Sequence, residues 1–169
     1  MRKIIGCLLV ICPLISSAQY DNGFPFGKIT LTELDMKVYP KDTAAQAVVL
    51  NEFGEASVDS EGDHNLQLEY HIKIKIVKKQ GVEQANFSIP LYKDGSRKQF
   101  VKAISASTYN LVNNQIRETK MEKEALFNEN HNEYWDVTKF TLPDVQVGSV
   151  IEVKYILQGD ENKTIHSKE

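Results

Sequence analysis

The chain has 169 residues, 41% of them hydrophobic and 25% charged, with a formal net charge of −3. That length suits one domain, large enough to bury roughly 68–70% of the surface its unfolded chain exposes, and the composition is that of a globular protein rather than a disordered or membrane-spanning one. The mildly acidic balance argues against a nucleic-acid partner, which calls for a basic face.

The first residues form a unit of their own. Arg2 and Lys3 precede an apolar run over residues 4–15, and Ser16-Ser17-Ala18 puts small side chains before the Ala18–Gln19 bond. This is the layout of a secretory signal peptide, with an apolar stretch shorter than the roughly 20 residues that span a bilayer. Neither cysteine suits a lipid anchor: Gly6-Cys7 has too little apolar sequence before it, and Cys12 follows the bulky Ile11. Cleavage after Ala18 removes both cysteines and takes the net charge to −5 by removing Arg2 and Lys3. The chain is then expected to be exported, periplasmic or at the cell surface of a Gram-negative bacterium, with no stable membrane insertion. It would carry no thiol for a disulfide, a metal site or a nucleophile.

In the mature chain, residues 31–40 predict a short helix, capped by Thr32, with Leu34 and Val38 on one face and Pro40 closing it. Asp42 opens a turn, and Val48-Val49-Leu50 predicts a strand ending near Gly54. The acidic stretch 56–65 has loop composition. Its Asp59, Glu61 and Asp63 depart from a helix-loop-helix calcium loop in the place of the glycine and in lacking a closing glutamate, so a solvated turn is the reading.

Residues 66–76 alternate strictly: Leu66, Leu68, Tyr70, Ile72, Ile74 and Ile76 against Gln67, Glu69, His71, Lys73 and Lys75. A period of two over eleven residues predicts a half-buried strand with His71, Lys73 and Lys75 toward solvent. A turn at 78–81 leads to a second alternating strand over 85–91, expected to pair with the first as a hairpin. Residues 100–111 predict a strand in which Val101, Ala103 and Ile104 break strict alternation and point to a bulge. Asn113-Asn114 suits a tight turn into a strand at 115–119. Residues 120–128 are a second helical possibility, and 134–142 and 149–157 are strands separated by Pro143-Asp144 and Gly148. Many short strands with little helix predict a mainly β fold, an antiparallel β-sandwich with one or two short helices. The expected organisation is a signal peptide at 1–18, a β domain at 19–158 and a polar tail at 159–169.

No catalytic, cofactor or metal motif occurs. The four histidines, His64, His71, His131 and His166, lack metal-site spacing and read as surface residues. Lys73, Lys75, Lys78 and Lys79 form a basic stripe that reads as a solvated face. The candidate ligand-binding residues are His131, Tyr134 and Trp135, set among amides and acids in NENHNEYWD, a mixture that stacks on and hydrogen-bonds sugars or peptides. Tyr134 and Trp135 are adjacent in a predicted strand and face opposite sides, so one of them is expected at the surface.

The segments YPKDTAAQAVVL, KIKIVKKQGVEQANFSIP, SASTYNLVNNQI and KFTLPDVQVGSVIEVKY resemble, in order and spacing, the N-terminal β domain of unknown function in exported bacterial transglutaminase-like proteins. The most specific pieces are the spacing of Tyr39, Asp42, Ala45 and Ala47 and the stretch Pro143-x-Val145-x-x-Gly148-Ser149-x-Ile151-Glu152. The resemblance implies a non-catalytic module that scaffolds a following transglutaminase-like domain with a Cys-His-Asp set. It ends near Leu157, and this sequence has no cysteine after Cys12. The implied protein is not an enzyme and has no cofactor. Its candidate partner is a transglutaminase-like domain or a second copy of the chain, met through the strand at 149–157 as an exposed C-terminal edge. The alternative is a stand-alone glycan- or peptide-binding module using Tyr134 and Trp135.

Overall fold

The alternating segment forms a strand from its first residue to its last. In the computed structural model, which describes residues 23–58, 65–95 and 97–160, this strand is β2 (Leu66–Ile76). It follows α1 (Leu31–Asp35) and β1 (Ala47–Val58), and precedes β3 (Asn86–Asp94), β4 (Arg97–Val112), β5 (Gln115–Lys120), β6 (Phe127–Asn130), β7 (Trp135–Thr141) and β8 (Val150–Asp160). The signal-peptide residues 1–18, the three acids of the calcium-like stretch and residues 161–169 lie outside the described residues.

The fold is mainly β and antiparallel, as the sequence predicts. Hydrogen bonding joins the strands into one eight-stranded sheet in the order β1-β2-β8-β4-β3-β7-β6, with β5 beside β4. The link between its two parts is narrow, only Lys93 opposite Lys98 and Asp94 opposite Arg97 at the β3–β4 hairpin. Beyond it β3 leaves β4 and pairs with β7. The sheet bends there, and Ile89 and Leu91 of β3 and Phe140 of β7 share one core with Ile72, Ile74, Ile151 and Val153 of β2 and β8.

Several local expectations are met. β4 carries a register shift between Val101 and Ala103 against β8, and Asn113 and Asn114 have φ of 51° and 62°, the left-handed pair of a two-residue hairpin turn. Others are corrected. Thr30 caps α1, accepting from the Glu33 N–H while Glu33 reaches back to the Thr30 N–H, a reciprocal capping box that Thr32 is placed too late to make. Residues 120–128 hold a single 3₁₀ turn, Lys123–Ala125, and then enter β6, because their apolar residues never build one helical face. β2 and β3 do not pair with each other. A 3₁₀ segment, Lys79–Ala85, carries the chain from one part of the sheet to the other, and β2 lies between β1 and β8. The predicted C-terminal edge is not an edge: β8 is hydrogen-bonded on both sides, to β2 and β4. Its near-continuous apolar run suits a central strand covered on both faces.

The 3₁₀ segment is seated by a glycine. A Cβ on buried Gly81 would overlap the carbonyl oxygen of Gln46 and lie 2.8 Å from its carbon, and that same oxygen accepts from the N–H groups of Val77 and Lys78.

Candidate functional site: a buried polar layer beneath an N-terminal strap

One face of β2 packs on the apolar core; the other is polar and equally buried. His71 and Lys75 are fully buried and Lys73 nearly so, as are Ser107 of β4 and Glu152 of β8. The expected solvent face is therefore an interior one, and the basic stripe and surface-histidine readings of His71, Lys73 and Lys75 are corrected. Alternation along a strand tells which side chains share a face, not what covers it. The cover is a strap, residues 23–35, that crosses the sheet.

The strap meets each buried polar group with a specific partner. Phe24 stacks on the His71 imidazole at 3.8 Å between centroids, with Phe26 beyond it at 5.7 Å. The Gly27 N–H donates to Glu152 Oε2 at 2.9 Å. Gly27 has a φ of +80°, and a Cβ there would lie 3.6 Å from the Tyr109 hydroxyl, so the strap approaches the sheet through a left-handed turn that favours glycine. Lys73 Nζ donates to the Lys28 carbonyl at 2.8 Å and pairs with Glu33 at 3.3 Å. Lys75 Nζ donates to the carbonyls of Leu34 and Gly148, both at 2.6 Å. Leu34 closes the strap against Tyr109 and Val150, with Ile29, Leu50 and Leu111 around them.

Within the layer, His71 Nε2 lies 2.9 Å from Glu152 Oε1 with neither side chain exposed. His71 Nδ1 is buried without a hydrogen-bond partner. Burial pushes the Lys75 ammonium down to about 8, helped by the charge of Lys37 and opposed by Asp35. Burial, with Glu152 and Glu118 nearby, pushes the Tyr109 phenol up. Burial works against ionised Glu33, but hydrogen bonds from Thr30 and the charge of Lys73 outweigh it and hold the carboxyl below its usual range. Histidine, lysine and acid stand together, but Phe24 lies over the imidazole. The arrangement holds a segment of main chain in place.

The sequence-predicted site lies elsewhere, at the β6–β7 connection. His131 is exposed, and its N–H donates to the Trp135 carbonyl. Tyr134 and Trp135 are both partly exposed, at 50% and 38%, where only one was expected at the surface. Trp135 stands edge-on to Tyr92 across the β3–β7 pair, 5.4 Å between centroids. The next residue, Asp136, lines a cleft of about 630 Å³ between residues 98–104 of β4 and the β6–β7 ladder. Hydrogen bonds and charge from Lys93, and then from Lys98, hold its carboxyl below the usual range. Leu91, Val101, Ile104 and Leu126 supply the apolar wall. The volume lies in the range of small-molecule sites. Among the described residues no cluster of three or more His, Cys, Asp or Glu side chains suits a metal ion, and no helix is long and apolar enough to cross a membrane.

The polar layer was missed because each of its members looks ordinary alone. One signal was present: Glu152 interrupts the apolar run Val150-Ile151-Glu152-Val153, and an acid on a central strand needs a buried partner.

No family model matches this sequence, and no curated protein matches it. The structure is similar to part of the crystal structure of a "putative protease" from Parabacteroides distasonis, with a TM-score of 0.54 and 9% sequence identity. The match covers 67% of this chain and 23% of that protein, so this chain spans only a fraction of its length, and at this identity the likeness is one of fold.

Proposed function

We propose that the chain is a non-catalytic, exported β module that positions a larger neighbouring polypeptide, a transglutaminase-like domain being the candidate. The observation that carries this reading is the fold likeness to 23% of a much larger chain described as a protease, alongside the sequence resemblance. The layer geometry supports it: His71 and Glu152, the acid–base pair best suited to chemistry, are fully buried beneath Phe24, and no cysteine follows Cys12. The test is in-cell cross-linking with mass spectrometry, paired with assays of the purified chain on casein and on glutamine-donor substrates. The expected result is cross-links to a transglutaminase-like polypeptide and no turnover. Turnover that survives purification and is abolished by His71→Ala would overturn the non-catalytic reading.

A second reading rests on the Trp135–Tyr92 pair beside the Asp136 cleft: a glycan- or peptide-binding module. A glycan array and a peptide library probed with wild-type chain and Trp135→Ala distinguish the two. Saturable binding lost in the variant supports this second reading.

A further inference from the structure

We propose that the strap at residues 23–35 is a latch that opens as a unit while the sheet stays folded, and that the face beneath it is a docking surface for one extended polypeptide segment, with the strap as resident occupant.

The chemistry of the contact carries this. Most strap-facing groups of β2 and β8 read main chain rather than side chains: Glu152 accepts from the Gly27 N–H, Lys73 donates to the Lys28 carbonyl, and Lys75 to the Leu34 carbonyl. Main-chain contacts are available to any extended segment, and sequence preference is left to the aromatic place over His71 and the apolar seat of Leu34. The seat is small, since Leu34 is the one fully buried apolar side chain that the strap contributes. A segment with few buried apolar contacts belongs to the low-stability end of a protein's local openings.

The uncovered face would also be stable in water. Once the strap lifts, His71, Lys73, Lys75, Glu152 and Ser107 are hydrated and regain the solvation that burial had removed. A wholly apolar face would aggregate or collapse in the same circumstance, whereas here the apolar part is confined to the Leu34 seat, Tyr109 and Val150 with Leu50 and Leu111 beside them. Meanwhile the core on the far side of the sheet, with Ile72, Ile74, Ile151 and Val153 packed on Ile89 and Phe140, makes no use of the strap. The His71 Nδ1 atom, buried without a partner, gains water on opening, which further favours the open state relative to a fully satisfied layer.

The absence of any cysteine after Cys12 provides the experiment. Ser107 and Thr108 are adjacent and equally buried in β4, but Ser107 shares the strap face opposite Glu152, and Thr108 the core face opposite Ile151. A thiol is introduced by Ser107→Cys or by Thr108→Cys in the chain from Gln19 onward, and its labelling by a soluble disulfide reagent is followed under native conditions. The expected result is labelling at least tenfold faster for Ser107→Cys, increased further by Phe24→Ala, with the Thr108→Cys rate unchanged by Phe24→Ala. A synthetic peptide covering residues 23–36, in excess, should then slow labelling of the Ser107→Cys, Phe24→Ala chain. Equal rates with equal denaturant dependence at the two positions would show that the strap melts only with the sheet, and overturn the latch. Fast labelling that the peptide does not slow would overturn the docking surface. Thermal melts of all four chains exclude global unfolding as the cause of faster labelling.

Discussion

His71 and Glu152 meet 2.9 Å apart between β2 and β8, both fully buried, and Glu152 uses its second oxygen to hold the strap at Gly27. Removing the acid therefore strands two donors at once. Glu152→Leu is expected to destabilise by about 3 kcal/mol, the scale of breaking a buried pair while leaving its partner uncompensated. Urea titration measures the loss, and a double-mutant cycle with His71→Phe should recover part of it, since that change also removes the stranded imidazole.

Both faces of β2 should be sensitive to charge. Ile72→Asp places a carboxylate in the core and loses roughly 1.5–3 kcal/mol of side-chain burial besides. Lys73→Asp, which the sequence alone marks as harmless, puts a carboxylate against the Lys28 carbonyl and Glu33, and is expected to cost at least ~2 kcal/mol. A silent Lys73→Asp in denaturant titration would show that the strap does not cover this face.

Lys75 gives a pH dependence with a definite sign. Its amine is pushed down to about 8 in the folded chain, against about 10.4 in an unfolded one. Between those values the unfolded chain binds more protons, so stability should rise as pH goes from 8 toward 10. The rise is expected to be about 2 kcal/mol, less than the whole shift implies, because the Leu34 and Gly148 carbonyls favour the ammonium. Above pH 10 the raised phenols of Tyr70 and Tyr109 reverse the trend as unfolded tyrosines ionise. Chemical denaturation at pH 8, 9 and 10 tests this, and Lys75→Met should flatten the curve.

Gly81→Ala should be more damaging than Gly95→Ala. At Gly81 the new methyl meets the backbone at Gln46, which has two hydrogen bonds to keep; at Gly95 it meets nothing, and the change is limited to the strain of a φ of +56°. The expected losses are about 2–3 kcal/mol, on the scale of overpacking, and about 1 kcal/mol. Thermal melts rank the two.

Export is expected to remove residues 1–18, so intact-mass measurement of the secreted chain should give an N-terminus at Gln19. A retained Met1 or a lipidated Cys7 contradicts it.

How much of this was legible in the sequence depended on range. β2, the bulge at Val101 and Ala103 and the Asn113-Asn114 turn are written in neighbouring residues, where alternation and backbone preference act directly. The pairing of β2 was not, because its partner β8 starts at Val150 and adjacency in sequence favoured β3. The site suffered for the same reason: whether Lys73 faces water or Glu33 is decided by a strap some 40 residues earlier, and no local pattern records it. Of Tyr134 and Trp135 one was legible as a surface aromatic; that both are partly exposed was not, because alternation assigns adjacent side chains to opposite faces without recording what covers either face.

The position of β8 between β2 and β4 also sets an order of events. Ribosomes extend a chain at roughly 5–20 residues per second, so the interval between completing Ile76 and reaching Asp160 lasts about 4–17 s. The β1–β2 hairpin can form from the start of that interval and β4–β5 once Lys120 has been made, yet each offers an open row of backbone groups where β8 belongs. Such rows pair readily with other chains. The nascent polypeptide is thus most vulnerable to aggregation just before its eighth strand arrives, and a holdase that binds extended β segments would do most good in that window.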